Sequence, residues 1–451
     1  MPVRGQTTTD RRPVRPHGDG DLQGVEVELK RVDPCAATWR NRTELDMRTT
    51  EKDLFRAALQ GVSCIEDTTH GLVFHRLPAW TREQYGQDLA MGIAASQGSG
   101  VRVEILTAAT WIELDLRFTR YTVPALGNQP RDAVLAATVD GTHLPVQRFD
   151  EGDLYVVGST GLPELTLGRP TRVRIDLESP PVATGRRRVV VWLPHTAAAE
   201  LLGIRADADL VAAPVAAPRW IHYGSSISHC SNAETPMGVW PVRAAEQLGL
   251  HVTNLGLGGS AYLDPYVART IRDLPADLIS AKIGINVVNG NSFSARTFTP
   301  AVHGFLDTVR EGHPLTPIVV ISPIACPVHE RHPGPTQFDM RGRAHHPDVE
   351  RSPGDGLLTL IDVRAALASI VEGRRRTDVN LSYLDGLSLL GEADVAHLVD
   401  GLHPDAAGYL AIADTFVALA RDPASGLREA FAATTATFGG LNGRRVARSG
   451  A

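Results

Sequence analysis

Two textures of hydrophobic and polar positions follow one another along the chain. From about residue 55 to 210, apolar positions recur at every second residue. In TWIELDLRF (110–118), Ile112, Leu114, Leu116 and Phe118 fall on one side and the charged residues on the other. The stretch 171–177 repeats this alternation, and 101–105 does so more briefly. A period of two marks strands with one face on a core and the other toward water. Asp140-Gly141, between VLAATV and THLPV, is a hairpin-turn signal, and RVVVWL (188–193) reads as a buried strand. Many short strands closed by frequent turns predict a β-sandwich over 51–212. The Arg186-Arg187-Arg188 run reads as a solvated turn before a strand.

After an Ala/Pro linker (213–218) the texture changes. Strand-like runs at 220–223, 252–255, 278–283, 318–321 and 381–384 alternate with helical patterns at roughly 239–249, 264–274, 300–312, 358–373 and 405–421. Five such units predict a parallel, doubly wound sheet with helices on both faces over 219–423, an α/β fold. Asp264-Pro265 predicts a helix start, with Asp as cap and Pro at the first position. Residues 327–356 are rich in Pro, Gly and His, and a loop of that length predicts a functional lid. Residues 1–50 read as a partly disordered leader and 424–451 as a frayed tail.

The 451 residues are 43% hydrophobic, ample for two cores, and the net charge is −6. That balance argues against nucleic acid or an anionic membrane as a partner. The opening MPVRGQTTTDRRPVRPHGDGD has no apolar core of a secretory signal, and no run of about 18 apolar residues occurs. The expectation is a soluble cytoplasmic protein. Four cysteines (Cys35, Cys64, Cys230, Cys326) are too few for a disulfide scaffold. Cys230 and Cys326 both follow strands, but the compartment argues against their pairing. Cys326, His329, Glu330, His332, His345 and His346 fit no trusted zinc spacing, so neither metal nor cofactor is expected. Oligomeric state is not set by the sequence.

In doubly wound sheets ligands bind beyond the carboxyl ends of the strands. There the chain places HYGSSIS (222–228), NLGLGGS (254–260), GINVVN (284–289) and DGLHP (400–404). A hydroxyl, a glycine turn, an amide and an Asp/His pair on one rim form the parts list of a serine hydrolase. A serine hydroxyl needs a base, which His403 can supply. Asp400, three residues earlier, can hold the imidazole tautomer. The backbone N–H groups of Ser226 and Gly259 and the Asn286 amide can stabilise an oxyanion. Each residue also has a plain structural reading. A serine there can be a helix cap, Asp-x-x-His a capping turn, Asn286 a satisfied loop amide and Gly259 a turn glycine. Four blocks in order at four strand ends outweigh those readings.

These blocks resemble the SGNH (GDSL) hydrolase superfamily over roughly 218–423. Gly224-Ser225-Ser226-Ile227 stands where that family has Gly-Asp-Ser-Leu, which implies Ser226 as nucleophile ahead of Ser225 and Ser228. Gly259 and Asn286 match the second and third blocks, and Asp400 and His403 the last. Ser225 replaces the family's Asp, and Val287 stands where an Asp usually follows the Asn. An α/β-hydrolase elbow is excluded because Ser228 occupies its final glycine position. The resemblance implies a three-layer, flavodoxin-like α/β/α domain behind a jelly-roll-like sandwich. It implies acyl transfer through acyl-Ser226 on a small-molecule ester, with water as acceptor in an esterase. The order of domains is similar also to acyltransferases that tailor natural products such as polyketides, where an alcohol is the acceptor. A third reading is a carbohydrate-binding protein with an inactive second domain. An exposed aromatic strip on one sheet face would support it, with Trp111 and Tyr155 as the candidates.

Overall fold

The computed structural model describes residues 47–124, 129–158, 163–177, 185–347 and 356–425, with Leu427, Arg428, Ala430 and Phe431. The leader up to residue 46, residues 348–355 of the expected lid and the chain beyond 431 lie outside the described residues.

The period-two segments form two seven-stranded sheets. One runs in the order Leu59–Gln60, Arg102–Thr107, Arg187–Trp192, Ala133–Val139, Thr142–His143, with Leu210–Ala212 and Gln147–Phe149 paired alongside. The other is centred on the long strand Trp111–Thr122, which pairs with Ala197–Ala206 and Thr171–Asp176. Ile112, Leu114, Leu116 and Phe118 are wholly buried and share one core with Val103, Ile105, Val189 and Val191 from the facing sheet. The alternation in the sequence is thus the inward face of a sandwich. Asp140 and Gly141 both have positive φ and turn the hairpin that pairs Val139 with Thr142.

Two longer helices, besides a four-residue one at Arg82–Tyr85, interrupt the strand pattern among the described residues. Thr49–Ala58 opens the region, and Leu89–Ser96 lies inside it. The second, LAMGIAAS, is apolar around most of its circumference, so no 3.6-residue stripe marks it. Asp88 caps it by accepting from the Met91 N–H at 3.0 Å. Arg187 departs from the solvated-turn expectation. Its guanidinium is buried and donates to the carbonyls of Leu177 and Ala109.

The second half forms a five-stranded sheet in the order His251–Gly256, Arg219–Gly224, Leu278–Lys282, Ile318–Ile321, Leu381–Leu384, every pair parallel. Helices Trp240–Leu248, Pro265–Asp273, Ala295–Gly312, Leu360–Arg374 and Ala406–Arg421 follow the strands. The third begins five residues before its expected start because Ser294 and Thr297 close a capping box ahead of Pro300. Asp264 precedes Pro265 as expected, yet its side chain makes no capping bond. Burial pushes that carboxyl up to about 6. Helical residues Leu427, Ala430 and Phe431 pack onto the core, Phe431 against Phe416. Among the described residues no helix is long and apolar enough to cross a membrane.

The order 2-1-3-4-5 puts a topological switch point between the first and third strands. His251–Gly256 is an edge strand, and the N-terminal region covers its open side. Arg102 donates to Val252 O at 2.9 Å, and Arg76 donates to Asn254 O and Gly256 O at 2.8 and 2.9 Å. Alternate carbonyls of an edge strand otherwise offer pairing to a foreign strand. Arg76 is wholly buried with no carboxylate beside it among the described residues, and burial lowers its guanidinium to about 9. It also lies 3.0 Å from His229 Nδ1, while His229 Nε2 lies 2.7 Å from His195 O. A neutral ring with its proton on Nε2 satisfies both contacts, and burial lowers the His229 pKa to about 3.

Candidate active site

The first strand ends at Gly224, and Ser225 caps a four-residue helix, Ser226–His229, by accepting from the Ile227 N–H at 3.3 Å. Ser225 therefore orders the loop in place of the family's aspartate. Its neighbours are buried, whereas Ser226 is half-buried and faces the rim. The helix packs hard onto the second strand. A Cβ on Gly256 would meet the Ser228 carbonyl carbon and the His229 nitrogen at 2.4 Å. Only glycine permits that approach.

Ser226 Oγ lies 2.9 Å from His403 Nε2, and His403 Nδ1 lies 2.6 Å from Asp400 Oδ2. The other carboxylate oxygen, Oδ1, accepts from the backbone N–H groups of Leu402 and His403 at 2.9 and 2.7 Å. Burial raises the Asp400 pKa, but the His403 ring and these two amides outweigh it and hold the carboxyl below its usual range. Asp400 and His403 side chains are each 25% exposed. The three predicted residues thus form one hydrogen-bonded chain with an open end at Ser226.

The two remaining predicted residues lie at the ends of the second and third strands. Gly259 is exposed with φ +75°, on the turn after the second strand, and a Cβ on its neighbour Gly258 would lie 3.9 Å from Ser226 Cβ. Asn286 is 4% exposed on the short helix Ile285–Asn289. Its Oδ1 accepts from the Ala261 N–H at 3.1 Å, so the support missing with Val287 comes from the glycine turn instead. That bond leaves Nδ2 a donor without an acceptor among the described residues. Gly284 has φ +122°, and a Cβ there would strike Val363 at 2.4 Å, so the Gly-x-Asn spacing is a steric requirement. Asn286 joins the segments after the second and third strands, on either side of the switch point.

The expected lid is partly structured. Gln337–Phe338 pairs with Ala344–His345 as a small hairpin, and the Ala344 N–H donates to Asp400 O at 2.7 Å. Met340 at its tip is fully exposed. His329 is buried, 2.7 Å from Thr336 Oγ1, and Glu330 pairs with Arg364 at 2.6 Å. Among the described residues no group of three His, Cys, Asp or Glu side chains is placed to hold a metal ion. Cys230 and Cys326 are free and buried. Tyr155, a candidate for an aromatic binding strip, is 3% exposed and packs on Tyr121, while Trp111 lies beneath Arg174.

Sequence reasoning missed the groups that hold this rim from outside the four blocks. Arg76 braces the strand before the glycine turn. Ala90, on the helix capped by Asp88, stands 3.9 Å from a Cβ built on Gly259. The Asp88-Leu89 cap was the available signal for that helix.

Residues 218–329 match the GDSL-like lipase/acylhydrolase family. No curated protein sequence matches the chain. Among solved structures, the chain is similar to a salicylyl-acyltransferase, SsfX3, from a tetracycline biosynthetic pathway, at 26% identity and TM-score 0.65, covering 79% of this chain and 92% of that one. It is also similar to a putative GDSL-like lipase from Bacteroides ovatus, at 19% identity and TM-score 0.56, covering 80% and 94%. The second likeness is one of fold.

Proposed function

We propose that this chain, which carries a GDSL-like lipase/acylhydrolase domain, is a serine-dependent acyl-transfer enzyme that hydrolyses a small-molecule ester through an acyl-Ser226 intermediate. The observation that carries this reading is the continuous contact Ser226 Oγ to His403 Nε2 to Asp400, at 2.9 and 2.6 Å. Ser226 Oγ attacks the ester carbonyl carbon while its proton passes to Nε2. Asp400 keeps the Nδ1 proton in place and stabilises the imidazolium. The carbonyl oxygen becomes an oxyanion facing the N–H groups of Ser226 and Gly259 and the Asn286 amide. Ser226 N–H opens its helix and so has no intrahelical acceptor. Collapse breaks the bond to the leaving alcohol, which takes the proton from His403. Water then repeats the cycle, releasing the acid and restoring Ser226.

A second reading replaces water with an alcohol, giving an O-acyltransferase that tailors a natural product. The similarity to the salicylyl-acyltransferase favours it, because it extends over 79% of this chain and so includes the sandwich. Of the two aromatic candidates for the binding-protein reading, Tyr155 is buried and Trp111 is half-buried beneath Arg174.

Incubation with a fluorophosphonate, followed by intact-mass measurement, tests the mechanism. One adduct on wild type and none on Ser226→Ala, with p-nitrophenyl acetate turnover lost in the variant, is the expected result. An adduct that persists in folded Ser226→Ala refutes it. Adding an alcohol acceptor separates the two readings. New ester in place of free acid identifies transfer, and unchanged acid release identifies hydrolysis.

A further inference from the structure

Four consecutive residues, Ser231 to Glu234, follow the helix that carries Ser226, and side chains of the N-terminal region reach each of them. Arg131 donates to Ser231 O and, at 2.6 Å, to Asn232 Oδ1. His195 Nε2 lies 3.1 Å from Ala233 O, and Arg148 donates to Glu234 O at 3.3 Å. The chain enters this segment through Cys230, whose φ of +62° is costly for a residue with a Cβ. Asn232 uses the other end of its amide on the opposite side, donating from Nδ2 to Pro404 O at 3.0 Å. Pro404 follows His403 directly.

The geometry points to Asn232 as a positioning residue that sets the distance between His403 and Ser226, and to Arg131 as the group that fixes its orientation. The inference rests on reading His403 as the base for Ser226. Among the described residues, two hydrogen bonds join segment 224–235 to segment 398–405. One is the Ser226–His403 contact itself and the other is Asn232 to Pro404. The first must break and re-form as the proton moves. The second stays, and it holds the two segments in register during that step. A guanidinium only donates and a carbonyl only accepts. Arg131 therefore forces Oδ1 toward itself and Nδ2 toward Pro404, and a flipped amide would oppose donor to donor and acceptor to acceptor. The N-terminal sandwich then acts on catalysis without touching the reacting atoms. Misplacement of a reacting group by about 1 Å can cost on the order of 100-fold in rate.

The test is steady-state hydrolysis of p-nitrophenyl acetate by the full chain, with melting curves beside it. Asn232→Ala is expected to lower kcat by about 10–100-fold with KM little changed. Asn232→Asp keeps size and the Arg131 contact but turns an acceptor toward Pro404 O, so it should lose a similar factor while melting near wild type. Arg131→Ala should lose less, and Arg131→Lys should recover part of that loss. Combining Arg131→Ala with Asn232→Ala should be no worse than Asn232→Ala alone, since both act through one bond. Asn232→Asp within twofold of wild type in kcat overturns the inference, as does a double variant whose losses multiply. Ser226→Ala and His403→Ala are measured in the same assay. If either retains wild-type turnover, the reading beneath the inference fails. If both abolish turnover while Asn232→Asp is silent, the positioning role alone falls.

Discussion

Replacing Asp400 with Asn tests the chain of contacts at its carboxylate end. The aspartate accepts three hydrogen bonds, from Leu402 N, His403 N and His403 Nδ1, at 2.9, 2.7 and 2.6 Å. An asparagine can place its oxygen toward the two backbone donors or toward the ring. The first choice keeps two bonds. The second keeps one and turns an NH₂ group onto two N–H groups, a loss of about 1 kcal/mol for each bond forgone. The first wins, so NH₂ faces Nδ1, the ring proton shifts to Nε2, and the nitrogen beside Ser226 Oγ can no longer accept. Reaching the competent tautomer then costs about 1 kcal/mol or more. The imidazolium also loses its carboxylate, worth about 2–4 kcal/mol for a pair that solvent partly screens. At 1.36 kcal/mol per tenfold, the sum is a fall in kcat of about 10²–10⁴. The assay is p-nitrophenyl ester hydrolysis, with the fluorophosphonate labelling rate measured in parallel and circular dichroism to establish folding. A folded Asp400→Asn within tenfold of wild type in both rates would falsify the role assigned to Asp400.

Asn286→Ala removes one donor from the oxyanion and should lower kcat by about 10²–10³ with KM nearly constant; a fall below tenfold takes Asn286 out of that role. Lys282 is 2% exposed, its Nζ has no hydrogen-bond partner among the described residues, and burial lowers it to about 7. Unfolded lysine holds its proton to about 10.4, so between these values the unfolded chain binds more protons and stability rises with pH. Urea unfolding should show Lys282→Met more stable than wild type at pH 7, with the gap closing toward pH 10; a gap independent of pH refutes this. Arg76→Met should lower stability by about 2–5 kcal/mol by stripping buried carbonyls of their donor. An unchanged urea midpoint would show that Arg76 contributes nothing net.

The second half was legible because each strand there is a short apolar run and each helix carries an amphipathic stripe or a Pro or Gly boundary. Trp220–Tyr223 and Leu381–Leu384 needed only an extra residue or none at their ends. In the first half the inward positions of Trp111–Thr122 were evident from alternation, while its parallel pairing with Asp153–Val157 was not. Pairing partners are long-range, and period two carries no information about them. Leu89–Ser96 was hidden for the opposite reason, because a helix buried on several sides has no polar face to set a period. The site's own residues sit in local motifs, and the structure brings Ser226, His403 and Asp400 together across 177 positions of sequence. Arg76 and Asn232 looked like any other Arg and Asn. What distinguishes them is the carbonyl each one meets.

Many of the contacts between the two halves have a shared character. Val252, Asn254 and Gly256 on the edge strand, and Ser231, Ala233 and Glu234 after the short helix, are all engaged through main-chain oxygen. A carbonyl is the same group whatever side chain accompanies it, so this recognition is blind to the identity of the residues recognised. Mutational tolerance across the seam should therefore be lopsided. Positions met only through their carbonyl, such as Val252, Ser231, Ala233 and Glu234, can drift in sequence as long as their backbone path is kept, whereas Asn232, Gly256 and the arginines and histidine on the sandwich side are held to their chemistry. A saturation library scored for activity would see that asymmetry as two facing surfaces with very different freedom to vary.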